Sequence, residues 1–470
     1  MATTTIQARC ATCERLRAEA VRLKSRVAEL ETQLAAARKN SGNSSKPPSS
    51  DIVKPPKKQR PGRPKKRKRG AQPGHPRHER PPFTPEQIDA EWDYTLDACP
   101  DCGGALDDAD AAPRVIQQIE IVERPIRIEA HRGAAQWCGK CQKLHYAPLP
   151  KEVVKAGLAG PRLTALIAYL KGPCHASFST IRKFLRDVVG VRISRGQLAK
   201  LVQKVSRGLR ETYEELLHKL PTEERLNVDE TGHPDQGKRL WTWCFRGKLF
   251  TLYRIDPSRG SDVLVEVLGR EFDGLLGCDY FSAYRKYMKD FDVRVQFCLA
   301  HLIRDVKFLV KHPSRANQRY GKTLLAHLRK LFGVIHRRDE FASSESFRRT
   351  LIAARNALVT DAIMKLPHTR EAGNLADRFA NHFESYFRFI TEPHIDPTNN
   401  LAEQAIRFVA IHRRITQGTC GPRGQRWCER IWTVIQTCAQ QGRSVFDFLA
   451  AAVAADFQSA AAPSLMPDTS

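Results

Sequence analysis

Between residues 222 and 300 the apolar residues fall into short runs, not helical stripes, and two of those runs end in an aspartate. Leu226-Asn227-Val228 leads into Asp229, and Leu275-Leu276-Gly277-Cys278 leads into Asp279. Runs this short, bounded by glycine and polar residues, predict strands of a buried sheet. The segments 240–246 and 249–254 flank Gly247-Lys248 and predict a hairpin. A helix is expected through Ser261, Val263, Leu264, Val267 and Leu268, and another through Tyr284 and Tyr287. A last strand is expected over 293–298. The order β-β-β-α-β-α-β calls for one mixed sheet with helices on its faces.

That order is the order of a ribonuclease-H-like core, where the two acid-bearing strands lie side by side. A third acid, Glu403, opens a helical pattern from about Thr398 to Arg414. Asn399 or Asn400 can cap this helix. Leu401, Ala405, Phe408 and His412 fall near one face; Glu403, Arg407 and Arg414 fall near another. Three carboxylates converging on one place suit two Mg2+ ions, which prefer oxygen ligands and serve in-line phosphoryl transfer. The alternative for Glu403 and Arg407 is a surface i,i+4 ion pair.

The charge balance says which phosphate. The net charge is +26 over 470 residues, and it is clustered. Lys65, Lys66, Arg67, Lys68 and Arg69 form the centre of a basic run within a Pro- and Ser-rich linker over 40–82. Such a segment cannot bury enough apolar surface to fold alone, and it favours a polyanion such as DNA without reading its sequence. Ahead of it, Leu16, Leu23 and Leu30 recur every seventh residue, with Ala20, Val27 and Leu34 in the alternate seam, so residues 1–39 predict a coiled coil that joins copies of the chain. Cys99-x2-Cys102 and Cys138-x2-Cys141 supply four thiolates for one structural Zn2+. The alternating segments 115–121 and 126–129 between them predict a zinc ribbon over 83–150 with a strand insertion. Cys10-x2-Cys13 has no partner pair, and His145 reads as a surface residue.

Residues 151–221 predict a helical, helix-turn-helix-like region with Ser194 as an N-cap. The core is expected over 222–300 and 396–420, with an all-helical insertion over 301–395 and a C-terminal helical region over 421–470. The fold class is therefore multidomain α/β. No apolar run reaches the roughly 18 residues of a membrane span. The N-terminus has no charged leader followed by an apolar stretch, and the 13 cysteines read as reduced thiols and metal ligands. These features predict a cytoplasmic, DNA-associated protein without a membrane partner.

Several motifs together carry a family resemblance: Asn43-Ser44-Ser45-Lys46-Pro47-Pro48-Ser49-Ser50-Asp51, Gly70-Ala71-Gln72-Pro73-Gly74-His75, the two cysteine knuckles, Val228-Asp229-Glu230-Thr231, Asp279-Tyr280-Phe281-Ser282-Ala283-Tyr284, Cys298-Leu299-Ala300-His301-Leu302-Ile303-Arg304 and Asn399-Asn400-Leu401-Ala402-Glu403. The chain resembles the large transposase of a bacterial insertion-sequence family, the one called transposase C, with a DDE catalytic domain. The resemblance implies that Asp229, Asp279 and Glu403 are the catalytic triad. It also implies a leucine-zipper-like N-terminus, a zinc-binding region and small accessory proteins of the same element. Many relatives carry Asp-Gly-Tyr at the second acid, where this chain has Asp279-Tyr280-Phe281. The expected activity is cleavage of the element's DNA ends and joining of their 3′-hydroxyls to target DNA. Arg407, Arg413 and Arg414 are expected on the phosphates, and His301 and Arg304 as accessory groups near the site. Two rivals remain: a DNA-binding relative without catalysis, and a ribonuclease-H-like nuclease that cuts without joining.

Overall fold

The computed structural model describes residues 11–39, 81–98, 100–105, 115–119, 121–122, 125–138, 140–392 and 394–467. Contacts divide the chain into two units, residues 56–130 and the remainder. The smaller unit contains a single-turn helix at Pro85–Gln87, and Gln117 clasps the Phe83 amide (2.6 Å) and carbonyl (3.1 Å). The strands expected over 115–121 and 126–129 are not formed in its described residues. Val115, Ile116 and Ile119 stay exposed, so their alternation has no partner strand or core to lean on.

The larger unit begins with α1 (Ala11–Ala37), a 27-residue helix whose seam residues Leu16, Leu23, Val27 and Leu34 are exposed. A hairpin of β1 (Ala135–Cys138) and β2 (Lys143–Tyr146) follows. Then come α2 (Lys151–Ala156), α3 (Pro161–Lys171), α4 (Phe178–Asp187), α5 (Arg195–Gly208) and α6 (Arg210–Lys219). Ser194 caps α5 by accepting the Gln197 N–H at 3.2 Å. Residues 151–171 are apolar enough for a membrane span, but they are two helices broken at Gly157, and α3 buries Ala165, Ile167 and Ala168.

The sheet comprises β3 (Arg225–Asp235), β4 (Lys238–Arg246), β5 (Thr251–Asp256), β6 (Leu275–Cys278) and β7 (Arg294–Phe297), in the order β5-β4-β3-β6-β7. The first three strands pair antiparallel; β6 and β7 add in parallel, through α7 (Ser261–Leu268) and α8 (Ser282–Phe291). The helical insertion follows as α9 (Leu299–Val310), α10 (Arg315–His336), α11 (Ser344–Met364) and α12 (Arg370–Thr391), the last kinked at His382. It is tied to β7 by Gln296, which donates to the Tyr386 carbonyl (3.1 Å) and accepts the Phe389 N–H (3.0 Å). The chain then returns through α13 (Asn400–Thr416) to α14 (Pro422–Gln441) and α15 (Val445–Gln458).

The C-terminal helices are integral to this unit. Helix α15 packs on α2, α3 and α5, and α14 packs on α5, α6 and β5, so the segments expected as separate regions at 151–221 and 421–470 form one helical layer. Helix α14 also solves the edge problem of the sheet. The N–H groups of Thr251, Tyr253 and Ile255 on β5 donate to Thr437 Oγ1 (3.1 Å), Thr433 Oγ1 (3.1 Å) and Glu429 Oε1 (2.7 Å). Four helical residues advance about 6 Å and two strand residues about 6.7 Å, so a helix stepping by one turn can match a strand stepping by two residues. The ladder places a fully buried carboxylate, Glu429, beside Arg426 at 2.6 Å. Replacing Thr433 by Val keeps the shape but leaves the Tyr253 N–H buried without an acceptor. Thr433→Val is expected to destabilise by about 1–3 kcal/mol, read as a lower denaturant midpoint together with faster hydrogen exchange at the Tyr253 amide.

Candidate active site

The pairing of β3 with β6 brings the two aspartates together. Arg225, Leu226 and Asn227 lie opposite Leu275, Leu276 and Gly277. Asp229 follows two residues on in β3, and Asp279, just past the end of β6, lies close enough for its charge to act on Asp229. Asp229 leaves the sheet on the face covered by α13, since side chains alternate and Asn227 on that face reaches α13. Asn227 Nδ2 donates to Asn399 Oδ1 at 2.8 Å, and Asn399 Nδ2 donates to the Val228 carbonyl at 2.8 Å. Gly277 leaves room for this crossing: a Cβ there would stand 2.5 Å from Asn227 Nδ2. Asn399 thus occupies the N-cap position of α13, but its side chain grips β3 and caps no helical N–H.

With its first turn fixed in this way, α13 turns Ala402, Ala405, Ile406, Val409 and His412 inward. This stripe differs from the expected one: Leu401 is exposed. Glu403 is partly buried and faces α9. Arg304 Nη2 donates to its two oxygens at 3.0 and 3.3 Å, and His301 Nδ1 lies 3.4 Å from Oε1. Arg304 Nη1 lies 2.8 Å from His301 Nε2. Both accessory residues read from the sequence therefore meet the third acid. Burial, and then the Arg304 guanidinium, push His301 down to about 4, so the ring is neutral.

The carboxylates act on one another's charge. Burial first, and then the charges of Glu230, Asp279 and Glu403, hold Asp229 well above the ordinary carboxylate range. Burial and Glu230 push Asp279 up to about 7, against the Phe281 N–H (2.9 Å) and Arg259, which favour its charge. Glu230 points to the opposite face, where Arg259 (2.9 and 2.5 Å) and the Tyr284 hydroxyl (2.5 Å) satisfy it. Asp229 and Asp279 have no such ion pair among the described residues. Oxygen donors that raise one another's pKa are what a hard dication relieves, so this set fits Mg2+.

The other expected residues divide. Arg407 and Arg414 are exposed on α13. Arg413 instead turns inward to Thr231 Oγ1 (3.0 Å) and the Gly232 carbonyl, because the end of β3 offers acceptors there. Lys65, Lys66, Arg67, Lys68, Arg69, Cys10 and Cys99 lie outside the described residues. Cys102 is followed by Gly103 at φ +72°, as a knuckle turn needs. Cys138 and Cys141 bracket the β1–β2 turn, where the Cys141 backbone N–H holds the Cys138 thiol below its usual pKa, a setting that suits a thiolate–metal bond. His145 Nε2 lies 3.4 Å from Cys141 Sγ. Sequence reasoning missed the roles of Asn399, Cys298 and Arg259; the Asn399-Asn400 pair was the available signal, read only as a cap.

The raised aspartates have a thermodynamic consequence. A carboxyl whose folded pKa lies above its unfolded value binds more protons when folded, so folding stability falls as pH rises from about 4 through about 7. Asp279→Asn is expected to stabilise the metal-free protein by roughly 2–4 kcal/mol at pH 8, with the gain shrinking towards pH 4. Thermal melting across this range, with and without Mg2+, checks both the sign and the loss of Mg2+ stabilisation in the variant.

The model of a family described as "Transposase IS66 family" matches residues 156–426, and that of a family of unknown function matches residues 3–81. The uncharacterized protein y4qI of Sinorhizobium fredii (strain NBRC 101917 / NGR234) is 25% identical over 331 residues, covering 64% of this chain and 60% of its own length. The uncharacterized protein y4jD of the same organism is 22% identical over 344 residues, covering 67% of this chain and 66% of its own. The chain thus spans less than two thirds of the length of either curated relative. The first family match takes in more than half of the chain, including the sheet, the helical insertion and α13, and on that ground the chain belongs to the IS66 family of transposases.

Proposed function

We propose that this protein is a DNA transposase that cleaves the ends of a bacterial insertion sequence and joins the freed 3′-hydroxyls to target DNA. The observation that supports the reading is that Asp279, just past the end of β6, and Glu403, on the helix tied to β3 by Asn399, both lie close enough to Asp229 for their charges to act on it. In this reading the sheet with α7, α8 and α13 is a ribonuclease-H-like core, and the three carboxylates hold two Mg2+ ions. The chemistry such a bound pair would supply is Lewis acidity, which acidifies an attacking hydroxyl and stabilises a leaving oxygen.

The chain's own residues do the rest. Asp229, Asp279 and Glu403 present oxygens on rigid elements, and Arg304 holds Glu403 in place. Arg407 and Arg414, exposed on the helix that carries Glu403, meet DNA phosphates. The basic run Lys65–Arg69 adds binding that is independent of sequence and weakened by salt. Cleavage by water releases a 3′-hydroxyl, and its attack on a target phosphodiester exchanges one ester for another. No covalent protein intermediate is needed, and no Ser or Tyr nucleophile is invoked.

The flanking parts have supporting roles. Cys99, Cys102, Cys138 and Cys141 hold one structural Zn2+, a reading supported by the Cys138–Cys141 knuckle. The half-exposed leucine seam of α1 pairs with a second copy, since single chains leave it uncovered. The segment α4–α5 contributes a DNA-contacting helical pair. Small proteins of the same element act as accessories. The protein works on DNA in the bacterial cytoplasm.

Cleavage and strand transfer on the DNA ends that flank this gene test the reading. Wild type is expected to cut and join with Mg2+. Asp229→Asn, Asp279→Asn and Glu403→Gln are expected to bind DNA normally but lose activity by more than the roughly hundredfold typical of outer-shell partners. Cutting without joining would assign a nuclease, and binding without cutting a non-catalytic relative. Variants as active as wild type would overturn the choice of acids.

A further inference from the structure

The spacing Cys298-x2-His301-x2-Arg304 puts three side chains on one side of the start of α9, and all three meet the start of α13. Cys298 Sγ accepts the Asn399 N–H at 3.1 Å. His301 Nδ1 faces Glu403 Oε1 at 3.4 Å, and Arg304 spans both Glu403 oxygens and His301 Nε2. His301 is 8% exposed, and its Nδ1 is buried with no hydrogen-bond partner among the described residues; Glu403 Oε1 lies near it, outside hydrogen-bond geometry.

Two chemistries fit these atoms. Cys298 Sγ, His301 Nδ1 and a Glu403 oxygen lie within 4.8 Å of one another, a mixed set that a thiophilic cation such as Zn2+ accepts. Arg304 decides between them. A guanidinium only donates hydrogen bonds, so His301 Nε2 must accept and the ring proton must sit on Nδ1. A nitrogen that carries a proton has no lone pair for a metal; it can only donate towards Glu403. A carboxylate has about four lone-pair sites, so Glu403 can take these contacts and still offer oxygen to a cation.

We infer that Cys298, His301 and Arg304 are positioning residues for Glu403: Cys298 seats the first turn of α13, and Arg304 fixes the tautomer in which His301 aims Nδ1–H at the carboxylate. The inference rests on the reading of Glu403 as a metal-holding acid. It also means that the Cys298–His301–Glu403 cluster is no additional metal site. Partners of this kind hold a ligand's orientation in advance, and their loss weakens metal binding roughly 10–100-fold.

Two measurements on the full-length protein test it. In protein labelled with 15N-histidine, the His301 ring, assigned by its loss in His301→Asn, is expected to carry its proton on Nδ1, and Arg304→Ala is expected to release it into a tautomer mixture. The Mg2+ concentration that half-saturates thermal stabilisation is expected to rise roughly 10–100-fold in His301→Ala. His301→Asn, whose amide N–H replaces Nδ1–H, recovers most of this, and His301→Gln, which reaches one bond further, does not. A ring protonated on Nε2, rescue by Gln in place of Asn, or a Zn2+ ion lost from wild type on Cys298→Ser would overturn the inference. Absence of any Mg2+ stabilisation in wild type, with the Nδ1–H tautomer intact, would instead overturn the reading of Glu403 as a metal-holding acid.

Discussion

Four carboxylates gathered at one part of a sheet repel one another, and much of the surrounding structure is an answer to that repulsion. Glu230 is turned to the far face and neutralised by Arg259 and Tyr284. Glu403 is met by Arg304 and His301. Among the described residues Asp229 and Asp279 receive only backbone N–H donors, from Glu230 and Phe281, and burial together with the neighbouring carboxylates raises their affinity for protons. Holding this cluster takes rigid supports, because a softer frame would relax by moving the acids apart. The Asn399 clamp, the space kept open at Gly277 and the contacts from the start of α9 are those supports.

Much of this was legible before any coordinates. The run before Asp279, the hairpin around Gly247-Lys248 and the strand and helix order appear as expected, because buried strands leave period and length signals that do not depend on distant partners. The strand expected to end at Asp229 instead runs on to Asp235, because Thr231 to Asp235 pair with β4, so this acid stands in mid-strand. The failures share the opposite property. Among the described residues the alternation at 115–121 forms no strand, since strand formation depends on a neighbour that sequence pattern alone does not supply. Asn399 reads as a cap, yet its side chain is claimed by a strand far away in sequence. Arg413 reads like Arg414, one residue on, yet their directions around the helix send one to β3 and the other to solvent.

The second acid shows how a local departure can be absorbed. Where many relatives of the resembled family carry glycine, Tyr280 stacks among Phe297, His382 and Tyr386 and lies under the guanidinium groups of Arg285 and Arg378. Arg378 in turn pairs with Asp305 at 2.7 Å. The loop that follows Asp279 is thereby bonded to the helical insertion, so the position of the second acid depends on helices that follow it by about a hundred residues.

The ladder from α14 to β5 has a consequence for how such a gene decays. Mobile elements accumulate frameshifts and stop codons, and a chain that ended before Pro422 would keep all three acids. It would lose Glu429, Thr433 and Thr437, leaving the N–H groups of β5 bare along the edge of a five-stranded sheet. An open edge of this kind recruits strands from other chains. The helix that closes the sheet therefore also guards it against pairing between chains, and a truncation that spares the acids still exposes the fold to aggregation.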